Sequence, residues 1–288
     1  MRHSGKLTLS SQEKHPLTCA TLTKRRMGAQ PQSVLRLCLA LLCAVSVKAW
    51  SSTGHQVVAE IARRHLTDAE YSAVKTTMAP MLPLTLPTVT DFVSSAHWMD
   101  DIKADTHVFD AWHYVDADVR TAEPVFASDA TNVVTVLGSL LPLHRASHSA
   151  FVPAFKIYTV THLIGDIHQP FHCGQMDDRG GNDFPITGMG HIRNLHALWD
   201  EGVGLFTPST SVSDLATSIV SEYPTPPAPD TGSAETWARE SWTIAKATYD
   251  ELEPNTRPSD EYVAKSQAIV KEQLAKAGYR LAAALGSS

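Results

Sequence analysis

The chain has 288 residues and a formal net charge of −6, and it contains only four cysteines. An acidic chain is poorly suited to passive nucleic-acid binding, because proteins of that kind normally present a basic face to the phosphates. Three cysteines precede residue 50, which leaves Cys173 alone in the rest of the chain and excludes an internally disulfide-bonded scaffold there.

The N-terminal segment, residues 1–49, is predicted to be a secretory signal peptide with an upstream extension. The apolar run Val34–Val47 follows several basic residues and ends in a small-x-small pattern, completed by Ala49, before Trp50. The run is too short to span a membrane well, and no later stretch approaches about 18 consecutive apolar residues. We therefore expect cleavage after Ala49 and a product that is secreted or held in the secretory-pathway lumen. Met27 is an alternative start, and a retained N-terminal anchor is the alternative to cleavage.

Cleavage would make the remaining chain strongly acidic. Residues 1–49 carry eight Lys or Arg and one acidic residue, so residues 50–288 have a formal charge of −13. A polyanionic substrate would then need local positive charge, which bound divalent metal ions could supply. Residues 50–288 are enough chain to bury one sizeable core, and we predict a single catalytic domain over this range.

The sequence from Trp50 onward is predicted to be mostly helical. Helices are expected from apolar spacing over His55–Leu66, Ala150–Ile167, Thr236–Leu252 and Asp260–Leu285. The second is apolar almost all round, which is typical of a central buried helix. Strand-like alternation is limited to a possible short hairpin around Gly180–Ile192. Proline clusters at Pro80–Pro87 and Pro224–Pro229 predict surface loops.

Two His-x-x-x-Asp pairs carry the clearest chemical signal. His162 and Asp166 are four residues apart, so they share one face of the most apolar predicted helix. A buried carboxylate needs a cation or strong donors to offset the cost of its desolvation. His196 and Asp200 repeat the spacing, and His172 lies between the pairs. Either pair alone could be a buried His–Asp hydrogen bond, but the whole set favours zinc, which takes nitrogen and oxygen ligands.

Further candidate ligands lie upstream of these pairs. Asp100 and Asp101 offer carboxylates, and His113 offers an imidazole beside an aromatic residue. If residues 1–49 are removed, the free α-amine and carbonyl of Trp50 could chelate a metal, with His55 about one helical turn further on.

Six motifs occur together in chain order. They are Trp50-x-x-x-Gly54-His55, Trp98-x-Asp100, His113-Tyr114-Val115-Asp116, the segment His162–His172, Gly180-Gly181-Asn182 and Asn194-Leu195-His196-x-x-Trp199-Asp200. This ordered set resembles the zinc-dependent class I nucleases of moulds, plants and protozoa, which include mung-bean nuclease and the protozoan 3′-nucleotidases. The resemblance spans Trp50 to about Asp200. It implies an all-α domain related to zinc-dependent phospholipase C.

The resemblance implies three zinc ions. One would be held by Asp100, His113, His162 and Asp166. Asp166 would also bind a second ion, whose other ligands would be His55 and the terminal amine and carbonyl of Trp50. The third, more exposed ion would be held by His172, His196 and Asp200.

The implied reaction is hydrolysis of phosphate esters. A zinc-bridged hydroxide would attack phosphorus in line, and the third zinc would stabilise charge on the departing O3′. Asp100 and Asp166 would hold the ions at the reacting phosphate, and Lys103 would offset its charge. The substrates would be single-stranded DNA and RNA, cut to 5′-nucleotides, and nucleotides that lose a 3′-phosphate.

Three residues are expected to contact substrate by the same resemblance. Tyr114 would stack on a base that has left the duplex, and Asp116 would accept a hydrogen bond from the base edge. Tyr114 could instead be an ordinary packed tyrosine. Asn182 would orient a phosphate or a group that supports the site, or else stabilise a turn.

Two other functions fit parts of the pattern. A zinc phospholipase C has a related fold and a similar three-metal site, but its early motif spacing differs and the Tyr114 and Asp116 pair is not expected there. A secreted zinc-binding protein without turnover should have lost ligands or Lys103, and none is missing. We expect no stable protein partner and no membrane contact after cleavage. The remaining histidines are interpreted as surface or hydrogen-bonded core residues: His65, His97, His107, His144, His148, His168 and His191.

Overall fold

The structure is a computed structural model that describes residues 50–143, 149–224 and 232–286. The helices in these ranges are α1 (Ser52–His65), α2 (Asp68–Met78), α3 (Trp98–Asp101), α4 (Val133–Leu140), α5 (Phe151–Ile167), α6 (Leu195–Asp200), α7 (Val212–Glu222), α8 (Ala234–Tyr249) and α9 (Asp260–Gly286). Two short strands, β1 (Pro185–Met189) and β2 (Ile192–Asn194), form an antiparallel hairpin. The predicted all-α fold with a short hairpin is therefore confirmed.

Helix α5 lies at the centre of the core. Nearly every residue from Ala154 to Ile167 is buried, because other helices cover this helix on all sides. Helices α1 and α9 pack closely against each other, and a Cβ atom on Gly278 would overlap Ile61. The near-continuous apolar sequence of α5 thus places His162 and Asp166 inside the protein.

The four predicted helices correspond to α1, α5, α8 and α9, with ends that differ by a few residues. The hairpin lies at residues 185–194, towards the C-terminal end of the predicted region. The first proline cluster contains a short 3₁₀ turn at Leu82–Leu84. Most of the second, together with residues 1–49, His144 and His148, lies outside the described residues.

Local capping starts several helices that apolar spacing did not predict. At α2, Thr67 and Glu70 each accept a hydrogen bond from the other's backbone N–H, forming a capping box. Asn132 and Thr135 make the same reciprocal contact at α4, and Ser211 caps α7. These helices have 11, 8 and 11 residues, so each contains few repeats of the apolar spacing. Within the described ranges no helix is long and apolar enough to cross a membrane.

His168 connects the end of α5 to α8 and α9. Its Nδ1 donates to the Ile164 carbonyl at 2.7 Å, and its Nε2 accepts from Arg280 at 2.7 Å. Arg280 also pairs with Glu240 of α8, and Gln273 donates to the His168 carbonyl. Burial, followed by the charge of Arg280, holds the pKa of His168 well below its usual value. His168 is thus a hydrogen-bonded core residue, as the sequence predicted.

The depressed pKa of His168 predicts a loss of stability in acid. Below about pH 6.5 the unfolded chain binds a proton that folded His168 does not, so the free energy of unfolding falls by about 1.4 kcal/mol per pH unit until the folded pKa is reached. Urea unfolding of metal-free protein at pH 7.5 and 5.0 measures this dependence. His168→Gln should reduce the number of protons taken up on unfolding by about one, so its free energy of unfolding should depend less on pH. Equal pH dependences in the wild-type protein and this variant would contradict the prediction.

Candidate metal centre

Helix α5 brings the first His–Asp pair into a buried cluster. His162 and Asp166 are fully buried, and His162 Nε2 lies 3.3 Å from Asp166 Oδ2. The His55 ring of α1 stacks on the His162 ring with centroids 3.9 Å apart. The i,i+4 spacing on one helix therefore produces the shared face that the sequence predicted.

Asp100 of α3 and His113 join the same cluster from outside α5. His113 Nδ1 lies 3.1 Å from His162 Nε2 and 2.8 Å from Asp166 Oδ2. Asp100 Oδ1 lies 3.8 Å from both His113 Nδ1 and His162 Nε2. Ligand atoms around a tetrahedral zinc are about 3.3 Å apart, given zinc–nitrogen bonds of about 2.0–2.1 Å. These separations suit a single ion among the four side chains.

Asp166 faces two groups of ligand atoms with its two oxygens. Oδ2 is directed at His113 and His162, whereas Oδ1 lies 3.3 Å from His55 Nε2. Trp50 is buried beside this second group, and its indole N–H donates to the Gly165 carbonyl at 2.9 Å. The geometry therefore places the Asp166 carboxylate between two candidate metal positions.

A separate buried group, the lone group, consists of His172, His196 and Asp200. His172 follows α5 in a 3₁₀ turn, and the other two lie on α6. His196 Nε2 is 3.5 Å from Asp200 Oδ2, and His172 Nε2 is 4.0 Å from Asp200 Oδ1. All three residues are buried, and their ligand atoms lie close enough together to surround one ion.

Backbone carbonyls fix the tautomers of three of the histidines. Nδ1 of His162 donates to the Ala96 carbonyl. In the same way, Nδ1 of His172 donates to the His113 carbonyl, and Nδ1 of His196 donates to the Gly180 carbonyl. Because a carbonyl only accepts, each Nδ1 carries a proton, and the neutral form of each ring presents the Nε2 lone pair to its cluster. Hydrogen bonds of this kind are typical of metal-binding histidines.

Several buried polar atoms in these groups have no hydrogen-bond partner within the described part of the chain. They include His55 Nε2, Asp166 Oδ1 and His172 Nε2. Buried polar atoms without partners are costly, and these ones point toward shared centres rather than into separate cavities. A mixed set of imidazole nitrogens and carboxylate oxygens is the donor chemistry that zinc accepts, so the residues fit the ion.

The pKa shifts keep most of these imidazoles neutral. Burial and the charge of His162 lower the pKa of His55 to about 3, and burial lowers the pKa values of His113 and His172. Burial alone would raise the pKa of Asp166, but the neighbouring His162 and His113 lower it well below its usual value. Neutral imidazoles and an ionised carboxylate are the protonation states that bind metal.

The pKa of Asp200 shifts in the opposite direction from that of Asp166. Burial raises its pKa well above the usual value, although a hydrogen bond from Gln169 opposes the shift. The carboxyl group is therefore protonated over a wider pH range than an exposed aspartate. A metal ion that binds here would displace this proton, so its affinity would rise with pH.

The predicted substrate-contacting residues differ in what surrounds them. Lys103 Nζ lies 2.8 Å from Asp100 Oδ1, at the edge of the cluster. Tyr114 follows His113 and is 40% exposed, so it is not a fully packed core tyrosine. Asp116 Oδ1 is buried and has no hydrogen-bond partner among the described residues, and burial and then Asp178 raise the pKa of Asp116 well above the usual value. Asn182 donates to the Arg179 carbonyl at 2.9 Å, which is the turn contact that the sequence left as an alternative.

The structure adds residues that the sequence did not identify. His97 Nε2 lies 3.5 Å from Asp100 Oδ2 and Nδ1 lies 2.9 Å from Asp101 Oδ1, so His97 borders the site rather than lying apart from it. Its i,i+3 and i,i+4 spacing from the two aspartates was the available signal. Gln169 donates to Asp200 Oδ1 at 2.6 Å, and only packing brings these two residues together.

Two glycines make room for the site. A Cβ atom on Gly165 would lie 2.7 Å from His55 Nδ1, so no larger residue fits there without moving the His55 ring. Gly180 has a φ angle of +62°, and a Cβ atom there would overlap the Phe171 carbonyl. That conformation lets the Gly180 carbonyl accept from His196.

Comparison with known proteins gives one family and several relatives. The family described as S1/P1 Nuclease matches residues 50–288. Nuclease S1 of Aspergillus oryzae is 28% identical over 266 residues, which cover 81% of this chain and 90% of that protein. Endonuclease 4 of Arabidopsis thaliana is 27% identical, covering 82% and 88%, and Endonuclease 2 of the same plant is 26% identical, covering 85% and 92%.

The close contact at Gly165 predicts a metal-binding defect in Gly165→Ala. Helix propensity alone favours alanine by about 1 kcal/mol, but the added methyl group would displace the His55 ring. We expect about 10- to 100-fold weaker metal binding by the group that contains His55, an effect comparable to loss of a residue that orients a ligand. Metal content after dialysis at defined free zinc measures it.

Gly138→Ala on α4 is the matched control for this substitution. Apart from the backbone of α4 and the neighbouring residues in the chain, no atom of the described residues lies within 4 Å of a Cβ atom added there, so metal content should stay at the wild-type value. Wild-type zinc affinity in Gly165→Ala would show that the site tolerates the methyl group and that the prediction is wrong.

Proposed function

Since the chain belongs to the S1/P1 nuclease family, and is therefore a metal-dependent nuclease, we propose that it uses three zinc ions to hydrolyse single-stranded DNA and RNA to 5′-nucleotides and to remove 3′-phosphates from nucleotides. The family match agrees with the resemblance inferred from the sequence motifs. The observation that carries the proposal is the position of Asp166 between two groups of buried ligand atoms, with the lone group beyond them.

Zinc is favoured over magnesium by the donor set. Asp100, His113, His162 and Asp166 would hold one ion, and the lone group would hold another. Asp166 and His55, with the α-amine and carbonyl of Trp50, would hold the remaining ion. Imidazole-rich sites suit zinc, whereas magnesium prefers oxygen ligands and retained waters.

Bound zinc would supply Lewis acidity toward water and toward the phosphoryl oxygens of the substrate. The chain's own groups would then bind and orient the ester. The Lys103 ammonium, held beside Asp100, is placed to offset negative charge on the reacting phosphate. Lysine acts as a point charge here, without the bidentate geometry of arginine.

Preference for single strands would come from the exposed ring of Tyr114. A base must leave the duplex stack to lie on this ring, and such a contact contributes about 1–3 kcal/mol. Asp116 lies two residues further on and is half-buried, and its carboxylate would accept from the edge of the stacked base. Asn182 would act indirectly, because its amide stabilises the turn that carries Gly180 and its contact to His196.

We propose that residues 1–49 are a signal peptide and that cleavage leaves Trp50 as the first residue of a secreted catalytic domain, residues 50–288. The family match begins at residue 50, which supports this boundary. Burial of Trp50 and the hydrogen bond from its indole to Gly165, next to Asp166, support a role for its terminal amine. The Ser51 N–H also donates to the Asp200 carbonyl, which holds this end of the chain near α6.

The two alternative functions are less well supported. A phospholipase C-like activity would not need the exposed Tyr114 or the half-buried Asp116 near it, and the matched relatives carry nuclease or endonuclease names. An inactive zinc-binding protein would not need a cation at the edge of the cluster, yet Lys103 lies there.

Catalysis should depend on metal and on a single-stranded substrate. Secreted protein with Trp50 confirmed as its N-terminus should hydrolyse heat-denatured DNA and 3′-AMP, and duplex DNA much more slowly. Phosphatidylcholine should remain intact. EDTA should abolish both activities and added zinc should restore them, because the reaction needs the Lewis acid. Metal-replete protein that cleaves neither nucleic acid nor 3′-AMP would overturn the proposed function.

Removal of the Lys103 charge should slow the reaction without releasing the bound metal ions. We expect Lys103→Met to lower kcat for 3′-AMP about 100-fold or more, as does loss of one electrostatic contact to a reacting centre. Lys103→Arg keeps the charge and is the control, with a smaller loss. Zinc content, measured in parallel, should be unchanged. Full activity of Lys103→Met would exclude Lys103 from the reaction.

A further inference from the structure

Gln169 occupies the junction between the two metal-binding regions. It is fully buried and lies between the end of α5 and the 3₁₀ turn that carries His172. Its backbone N–H donates to the Asp166 carbonyl at 2.9 Å, and its carbonyl accepts from the His172 N–H at 3.0 Å. The backbone of one residue thus connects the bridging carboxylate to the lone group.

The side chain of Gln169 uses both ends of its amide. Nε2 donates to Asp200 Oδ1 at 2.6 Å, and Oε1 accepts from the Phe171 N–H at 2.7 Å. A flipped amide would set two acceptors against each other at Asp200 and two donors at Phe171, so the hydrogen-bond pattern fixes its orientation. The donor end can therefore only face the Asp200 carboxylate.

This contact leaves the other oxygen of Asp200 for the lone group. Oδ1 is engaged by Gln169, while Oδ2 lies 3.5 Å from His196 Nε2. Asp200 is buried on α6, thirty-one residues from Gln169 in the sequence. A neutral amide orients the carboxylate without bringing in a charge that would compete with a cation.

We propose that Gln169 is the positioning residue of the lone group, holding Asp200 as a ligand and fixing its placement relative to Asp166. This inference rests on the proposed metal-dependent function. Gln169 contacts neither substrate nor the reacting atoms. It acts through Asp200, so its loss should empty the lone group and leave the other two metal positions occupied.

Gln169→Glu separates positioning from local folding. The glutamate keeps an oxygen that accepts from Phe171, but an ionised carboxylate cannot donate to Asp200 and repels it. We expect zinc affinity of the lone group to fall about 10- to 100-fold, the effect usual for loss of a residue that orients a metal ligand. Gln169→Asn, which is one methylene shorter and uncharged, should lose the same ion because its amide cannot span both partners.

The matched control is Gln273→Glu on α9. Gln273 is also fully buried and donates to the His168 carbonyl at 3.1 Å, but it is not among the candidate ligands or their hydrogen-bond partners. The same chemical change there should lower the urea midpoint without removing metal. Asp200→Asn changes the metal ligand itself. Its loss of metal is the reference with which the Gln169 variants are compared.

The measurements are metal content after dialysis at defined free zinc and the visible spectrum of the cobalt-substituted protein. Support requires that Gln169→Glu and Gln169→Asn lose the ion and the spectral component that Asp200→Asn loses, while Gln273→Glu keeps them. Wild-type metal affinity in both Gln169 variants would overturn the inference, as would an equal loss from all positions. A wild-type protein that binds no metal would overturn the proposed function, and this inference with it.

Discussion

The buried carboxylate of Asp166 is the constraint on which the rest of the site depends. Desolvation disfavours its charge, and only the surrounding histidines and a cation can offset that cost. Nitrogen atoms of His113 and His162 lie beside Oδ2 of this carboxylate, and Nε2 of His55 lies beside Oδ1. An apolar helix that buries such a group near its C-terminal end is stable only if charge is supplied there, which a pair of divalent ions would do.

The backbone of the protein sets the chemistry of the ligands. Carbonyl groups of Ala96, His113 and Gly180 accept hydrogen bonds from the Nδ1–H groups of three histidines, which orients each Nε2 toward its cluster. His113 itself faces the cluster with Nδ1. The carbonyls belong to segments far from the histidines in sequence, so the metal-binding state of each imidazole is a property of the packed fold.

The site also explains how an acidic chain can act on an acidic polymer. The described residues near the cluster offer Lys103, and this lysine is already paired with Asp100. The positive charge that attracts a substrate phosphate must therefore come mainly from bound metal ions. This charge would be concentrated at the buried cluster rather than spread over a basic face. Exposed Tyr114 beside His113 would then supply affinity for bases through stacking, which does not depend on net charge.

The sequence by itself determined the helical class, the long helices and the two His-x-x-x-Asp faces, because the helical repeat fixes which residues share a side. It also identified the residue types that suit zinc. Only the tertiary structure decided that the Asn182 amide stabilises a turn and that Gln169 holds Asp200. Those contacts depend on how distant segments pack and on local loop geometry, and neither is set by spacing along one helix.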